Sequence, residues 1–168
     1  MEFLLIPGII LAIVLLVLSV VIIPQQTMGL IERLGKFNRV LGPGLNFKIP
    51  IIERVSGRES IRIRQLDVPV ETKTQDNVFV NLGVSIQFLA ISEKIFDAFY
   101  KLTDVNQQIT SYVYDVVRAE VPKKTLDEVF ESKDIIAQTI KAELSESMDD
   151  FGYSIVNSLI TDIDPALN

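Results

Sequence analysis

FLLIPGIILAIVLLVLSVVII, residues Phe3 to Ile23, runs for 21 positions without a charge, between Glu2 and Pro24-Gln25-Gln26. As an α-helix rising about 1.5 Å per residue it measures roughly 31 Å, close to the ~30 Å hydrocarbon core of a bilayer. Lipid offers backbone groups no partners, so a segment this apolar closes its own hydrogen bonds as a helix. Pro7 falls near its first turn, where a missing N–H costs little, and Pro24 follows its last apolar residue. The stretch therefore reads as a transmembrane helix, with an anchor over residues 1–25 and the rest of the chain held at a lipid surface. A cleaved signal peptide fits less well. Met1-Glu2 is not a basic leader, and Ser19 to Pro24 has no small-x-small cleavage pattern. A buried helix of a water-soluble protein fits less well still, because no polar face is left for solvent. Gly8-x-x-x-Ala12 would let two such helices approach closely, although small residues are common in membrane helices anyway.

Beyond the anchor some 145 residues remain, enough for one domain with a real core or two small subdomains in series. Cysteine and histidine are both absent. Disulfides, thiol nucleophiles, Cys/His zinc sites and histidine acid–base chemistry are thereby excluded, and no cofactor is implied. The net charge of −6 hides an asymmetry. Pro24 to Arg64 holds eight basic and three acidic residues, whereas Gln65 to Asn168 holds eight basic and eighteen acidic. The basic part adjoins the bilayer, where anionic headgroups attract Lys and Arg by roughly 1 kcal/mol each. The acidic surplus of the second part argues against nucleic-acid binding. Arg33, Lys36 and Arg39 also lie where positive charge favours the cytoplasmic side, although large domains translocate regardless of charge.

Gly29 to Leu34 reads as a strand, and Leu41-Gly42-Pro43-Gly44-Leu45 as a turn. Leu45–Ile49 and Ile51–Val55 are strand candidates broken at Pro50. Ile61 to Arg64 alternates, and Leu66, Val68 and Val70 continue one residue out of phase, which predicts a bend near Gln65. Val78, Val80, Leu82, Val84, Ile86 and Phe88 occupy every second position of the clearest strand. With Thr74 to Asn77 as turn, it should pair with Leu66–Lys73 as an antiparallel hairpin whose apolar face needs a cover. Helices supply it. Ser92 is placed to cap Glu93–Leu102, Asp104 with Gln107 opens a second helix that Pro122 stops, and Thr125 with Glu128 forms a capping box for Leu126–Phe130. Ser132 is placed to start a longer helix with an Ile136, Ile140, Leu144, Met148, Phe151 stripe, terminated at Gly152. Tyr153 to Ile163 then returns as a strand, making the fold α+β. Asp164-Pro165 reads as a helix start, cut short in residues 166–168.

Several stretches resemble the SPFH family, also called band 7, of stomatins, prohibitins and flotillins. Gly35-Lys36-Phe37 with Val40 to Phe47 and Ile49-Pro50 is similar to stomatins. Gln65 to Val68, Glu71 to Asn81, Ser85 to Phe88, Ala98 to Leu102, Ser111 to Ala119 and Leu159 to Pro165 are similar to the hypersensitive-induced response branch. That branch usually attaches through lipidated Gly and Cys, whereas this chain begins Met1-Glu2 and has no Cys. The resemblance implies a β-rich membrane-proximal subdomain, residues 26–91, and an α/β subdomain, residues 92–165, followed in relatives by coiled-coil assembly helices. It also implies a homo-oligomeric ring or cage on the lipid bilayer that organises a membrane microdomain. An alternative role is a regulatory adaptor of a membrane protease or channel.

On this reading the protein is a scaffold and not an enzyme. Arg33, Lys36 and Arg39 are the expected headgroup contacts, against the plain alternative of a solvated face. A hydrolase would draw on Glu146, Asp149 and Asp150, or on Asp162 with Asp164. Glu146 and Asp150 share a helix face, where a hard cation such as Mg²⁺ is conceivable, but acidic clusters are commonly solvated surface.

Overall fold

The computed structural model describes residues 2–165, with side chains from Ile6 onward. Helix α1 (Glu2–Ser19) stops four residues short of the end of the apolar stretch. Val20–Ile23 forms strand β1 instead, antiparallel to β4 (Gly44–Phe47), with Val20 opposite Phe47 and Ile23 opposite Gly44. Four consecutive β-branched residues favour a pleated strand once a partner exists, and Val21 and Ile23 gain a buried position by making the switch. The helix end is closed locally: the Ser19 hydroxyl donates to the Leu15 carbonyl, and the Lys48 N–H donates to the Ser19 carbonyl at 2.7 Å. The 21-residue spanning helix expected from Phe3 to Ile23 is thus corrected. Among the described residues no helix is long and apolar enough to cross a membrane.

The chain divides into two compact units, Met1–Arg62 and Ile63–Asn168. The division falls earlier than the subdomain boundary expected at 91/92, because the long hairpin shares its sheet and core with the later elements. In the first unit, β2 (Thr27–Arg33) lies between β3 (Lys36–Leu41) and β5 (Glu53–Ser60), all antiparallel. Val21, Ile23, Ile31 and Leu41 form its core, with Val55 packed against them. The Gly42-Pro43-Gly44 turn is as expected, with Gly44 at φ 106°.

In the second unit, β6 (Arg64–Lys73) and β7 (Phe79–Ala90) form the expected hairpin, and β8 (Tyr153–Pro165) returns along the other edge of β7. Val80, Leu82, Val84, Ile86 and Phe88 are all buried, as period-2 alternation requires. The bend comes at Ile61–Ile63 rather than near Gln65, and β6 then pairs without a bulge from Arg64 opposite Phe88 onward. The Arg64 guanidinium lies 5.0 Å from the Phe88 ring centre, a stacking contact that favours starting the strand there.

Helices α2 (Ile95–Tyr100), α3 (Val105–Glu120), α4 (Leu126–Glu131) and α5 (Lys133–Asp149) accompany this sheet. Asp104 caps α3 by accepting from the Asn106 and Gln107 N–H groups, and Thr125 with Glu128 makes a reciprocal capping box on α4. Two expected caps are corrected. Ser92 opens a 3-10 turn over Ser92–Lys94 with no side-chain cap, and the Ser132 hydroxyl donates back to the Glu128 carbonyl. The Ser132 hydroxyl thus takes a local alternative to capping, a common competition for serine. Gly152 terminates α5 at φ 80°, as expected. Asp164 and Pro165 end β8 instead of starting a helix, because β7 offers Asn81 and Val80 as ladder partners. The short helix expected at 166–168 lies outside the described residues.

Candidate membrane-contact site

The basic residues expected at headgroups are organised by a carboxylate that sequence reasoning did not single out. Glu53 sits opposite Arg33 on neighbouring strands, with its side chain fully buried. It accepts from Arg33 Nη2 at 2.8 Å, Arg39 Nη1 at 2.9 Å, Asn38 Nδ2 at 3.0 Å and the Ile49 N–H at 2.9 Å. The Ile49 amide, then the Arg33 and Arg39 guanidinium groups, hold its pKa down at about 2, against an ordinary 4.5. One residue along, Glu32 takes two bonds from Arg54 and one from the Ser56 hydroxyl. These cross-strand pairs of opposite polarity set the β2–β5 register through charge as well as hydrophobicity.

Arg33 and Arg39 are therefore bound first to Glu53, although they keep 47% and 39% of their side-chain surface. Arg39 also donates to the Phe47 carbonyl. Lys36 stands exposed at the start of β3. The structure brings the two arginines together and leaves Lys36 apart from them in the ion-pair network.

The same carboxylate shapes a loop. Glu53 accepts from the Ile49 N–H through its side chain and donates its own N–H to the Ile49 carbonyl at 2.9 Å. This reciprocal clamp closes the segment Ile49–Glu53 and turns Ile51 outward, where it is 92% exposed at φ 73°. A β-branched residue in the left-handed region is strained, at a cost of order 1–3 kcal/mol. Phe47, Ile49 and Ile52 are exposed beside it, and Ile22 and Leu45 form an exposed cross-strand pair on β1 and β4. Together with the exposed apolar surface of α1 they make one greasy face on this unit. Exposed patches of this kind mark interaction surfaces. The clue in the sequence was Phe47-Lys48-Ile49-Pro50-Ile51-Ile52, where apolar residues flank a proline without strand alternation.

Ile51→Asn should separate stability from surface function. Asparagine tolerates φ 73°, and almost no packing is lost from so exposed a side chain. The unit should gain about 0.5–1 kcal/mol, read as a higher melting midpoint, while its affinity for vesicles falls.

The acidic residues considered for hydrolysis are dispersed. Asp149 pairs with Lys94, whose pKa is raised chiefly by that hydrogen bond, and Lys101 Nζ donates to the Asp150 carbonyl at 3.3 Å. Glu146 is exposed on α5, and Asp162 and Asp164 stand on β8 opposite Gly83 and Asn81. Among the described residues no three acidic side chains are grouped to hold a metal ion. Glu146 and Asp150 are exposed, on α5 and at its C-terminal cap respectively.

A short apolar helix, a strand-bearing unit with an exposed apolar rim, and an antiparallel sheet accompanied by helices together define an α+β chain. A family model for the SPFH domain / Band 7 family matches residues 21–167, and the chain belongs to that family. It is similar to hypersensitive-induced response protein 4 of Arabidopsis thaliana, with 45% identity over 144 residues, 85% of this chain and 49% of the relative. It is also 30% identical over 145 residues to stomatin-like protein 2, mitochondrial, of Bos taurus and of Homo sapiens, covering 86% of this chain and 40% of each relative. The chain therefore spans less than half the length of these relatives.

Proposed function

We propose that this chain is the membrane-attached portion of a scaffold that assembles as a homo-oligomer, organises a patch of bilayer and carries out no catalysis. Attachment is monotopic on this reading: α1 and the rim formed by Phe47, Ile49 and Ile51 enter the lipid from one side. The observation that carries it is the continuity of exposed apolar surface from α1 onto that rim. Burying a side chain of this size in lipid contributes roughly 1.5–3 kcal/mol, so a handful suffices for firm attachment. Family membership supports the scaffold over an enzyme. Headgroup contact by Lys36, Arg33 and Arg39 remains part of the proposal, with Lys36 free of the Glu53 network and the arginines contributing only their outer faces.

The test is flotation of the chain with vesicles, followed by washing with high salt and with alkaline carbonate. Retention through both washes is expected. Release of the protein into the carbonate supernatant would overturn the attachment reading, and release by salt alone would assign the contact to charge rather than to the apolar face.

A further inference from the structure

Beside the C-terminal end of α1 the first unit contains an open groove of about 790 Å³. Leu15, Leu16 and Ser19 form one wall, and Phe47, Ile49 and Ile51 are among the residues of the other. Lys48 and Arg39 stand in the same lining as its only cations among the described residues. The volume lies within the roughly 300–1,000 Å³ typical of small-molecule sites.

The hydrogen-bonding state of the walls decides what fits. The Lys48 N–H is taken by the Ser19 carbonyl, the Ile49 N–H by Glu53, and Pro50 has no N–H. The Phe47 carbonyl is taken by Arg39, and the Ser19 hydroxyl by the Leu15 carbonyl. A peptide laid in this groove would find few partners for its own backbone, which burial makes costly. A hydrocarbon chain needs none. Arg39 is committed to Glu53, whereas the Lys48 ammonium has no ion pair or hydrogen bond among the described residues. An apolar trough with one available cation, continuous with the apolar surface of α1, matches a molecule with a greasy tail and an anionic head.

We infer that the groove holds an acyl chain of one anionic glycerophospholipid per protein chain, with the headgroup phosphate on the Lys48 ammonium. This rests on the membrane attachment proposed above and adds to it a bound lipid of defined stoichiometry and charge. Lys48 acts as a point charge here, which favours phosphate without demanding a fixed headgroup geometry.

The experiment is native mass spectrometry of the delipidated chain in detergent, titrated with phosphatidylglycerol and, separately, with phosphatidylcholine. One retained phosphatidylglycerol is expected, preferred by roughly tenfold, because the choline cation of phosphatidylcholine offsets its phosphate charge beside Lys48 whereas phosphatidylglycerol keeps a net negative charge. Lys48→Glu should abolish the preference, and Ser19→Phe, which fills the trough, should abolish retention of either lipid. Equal retention of both lipids, or retention untouched by Ser19→Phe, would overturn the inference and leave only a general lipid coat. Should Ser19→Phe misfold, Phe47→Trp provides a second reading, since the chain has no other tryptophan. Quenching by acyl-brominated phosphatidylglycerol should saturate at one lipid per chain, and quenching that rises without saturation would count against the site. Carbonate retention of the unmodified chain is scored apart. Loss there defeats the attachment reading, whereas retention without lipid selectivity defeats the groove alone.

Discussion

Gly152→Ala is expected to destabilise the second unit by about 2–4 kcal/mol, lowering its melting midpoint by roughly 10–20 °C. Two separate penalties combine. Gly152 holds φ 80°, which an L-residue adopts at a cost of about 1–2 kcal/mol. A Cβ there would also stand 2.5 Å from the Lys94 carbonyl oxygen and 2.9 Å from the Ala98 nitrogen, and both are backbone atoms with little freedom to move. The position is fixed from another side as well, since the Gly152 carbonyl accepts from the Ile91 N–H at 2.9 Å. Gly35→Ala supplies the control. Gly35 has φ 83° but nothing within 4 Å of the added carbon, so only the conformational cost of about 1–2 kcal/mol should appear. Equal losses in the two variants, each followed by thermal unfolding of its own unit, would show that the contact at Gly152 carries nothing.

Glu53→Gln is the second change with a large expected effect, and it should show itself through pH. The folded carboxyl titrates at about 2 against an ordinary 4.5, so its contribution to stability is present above pH 4.5 and fades as pH falls toward 2. The glutamine variant keeps an acceptor oxygen but leaves Arg33 and Arg39 without their shared anion. It should unfold more readily than the parent at neutral pH, by more than any other single charge-neutralising change in the first unit. The difference between the two should narrow across that acid window and nearly vanish at its lower end. Hydrogen exchange of the β2 and β5 amides along a pH series measures this. A loss that is the same at every pH would assign the effect to shape, with the charge irrelevant. Because Glu53 also clamps Ile49, the variant should loosen the loop that carries Ile51, so weaker vesicle binding is expected alongside the lost stability.

Much of the second unit was legible because its signals are local. Strict alternation from Val78 to Phe88 specifies a half-buried strand whatever it packs against, and Thr125 with Glu128 specifies a helix start within four residues. Gly152 as terminator follows from backbone freedom alone. Family membership was likewise readable from ordered runs such as Glu71 to Asn81. Serine was less informative: Ser92 makes no cap and starts a 3-10 turn, while the Ser132 hydroxyl donates back to the Glu128 carbonyl.

What the linear chain determined by itself was the α+β class, the polarity between a basic first part and an acidic second part, and the absence of cysteine and histidine chemistry. These follow from residue identity, from periodicity and from caps reaching no more than one turn. Only the tertiary structure decided where the apolar stretch changes from helix to strand, because Val20–Ile23 suits either form until Gly44–Phe47 arrives as a partner from more than 20 residues away. It also decided that Arg33 and Arg39 serve a buried Glu53 before any headgroup, and that Ile51 points outward. Both depend on strand register, which places charges side by side across distances that no local pattern in the chain encodes.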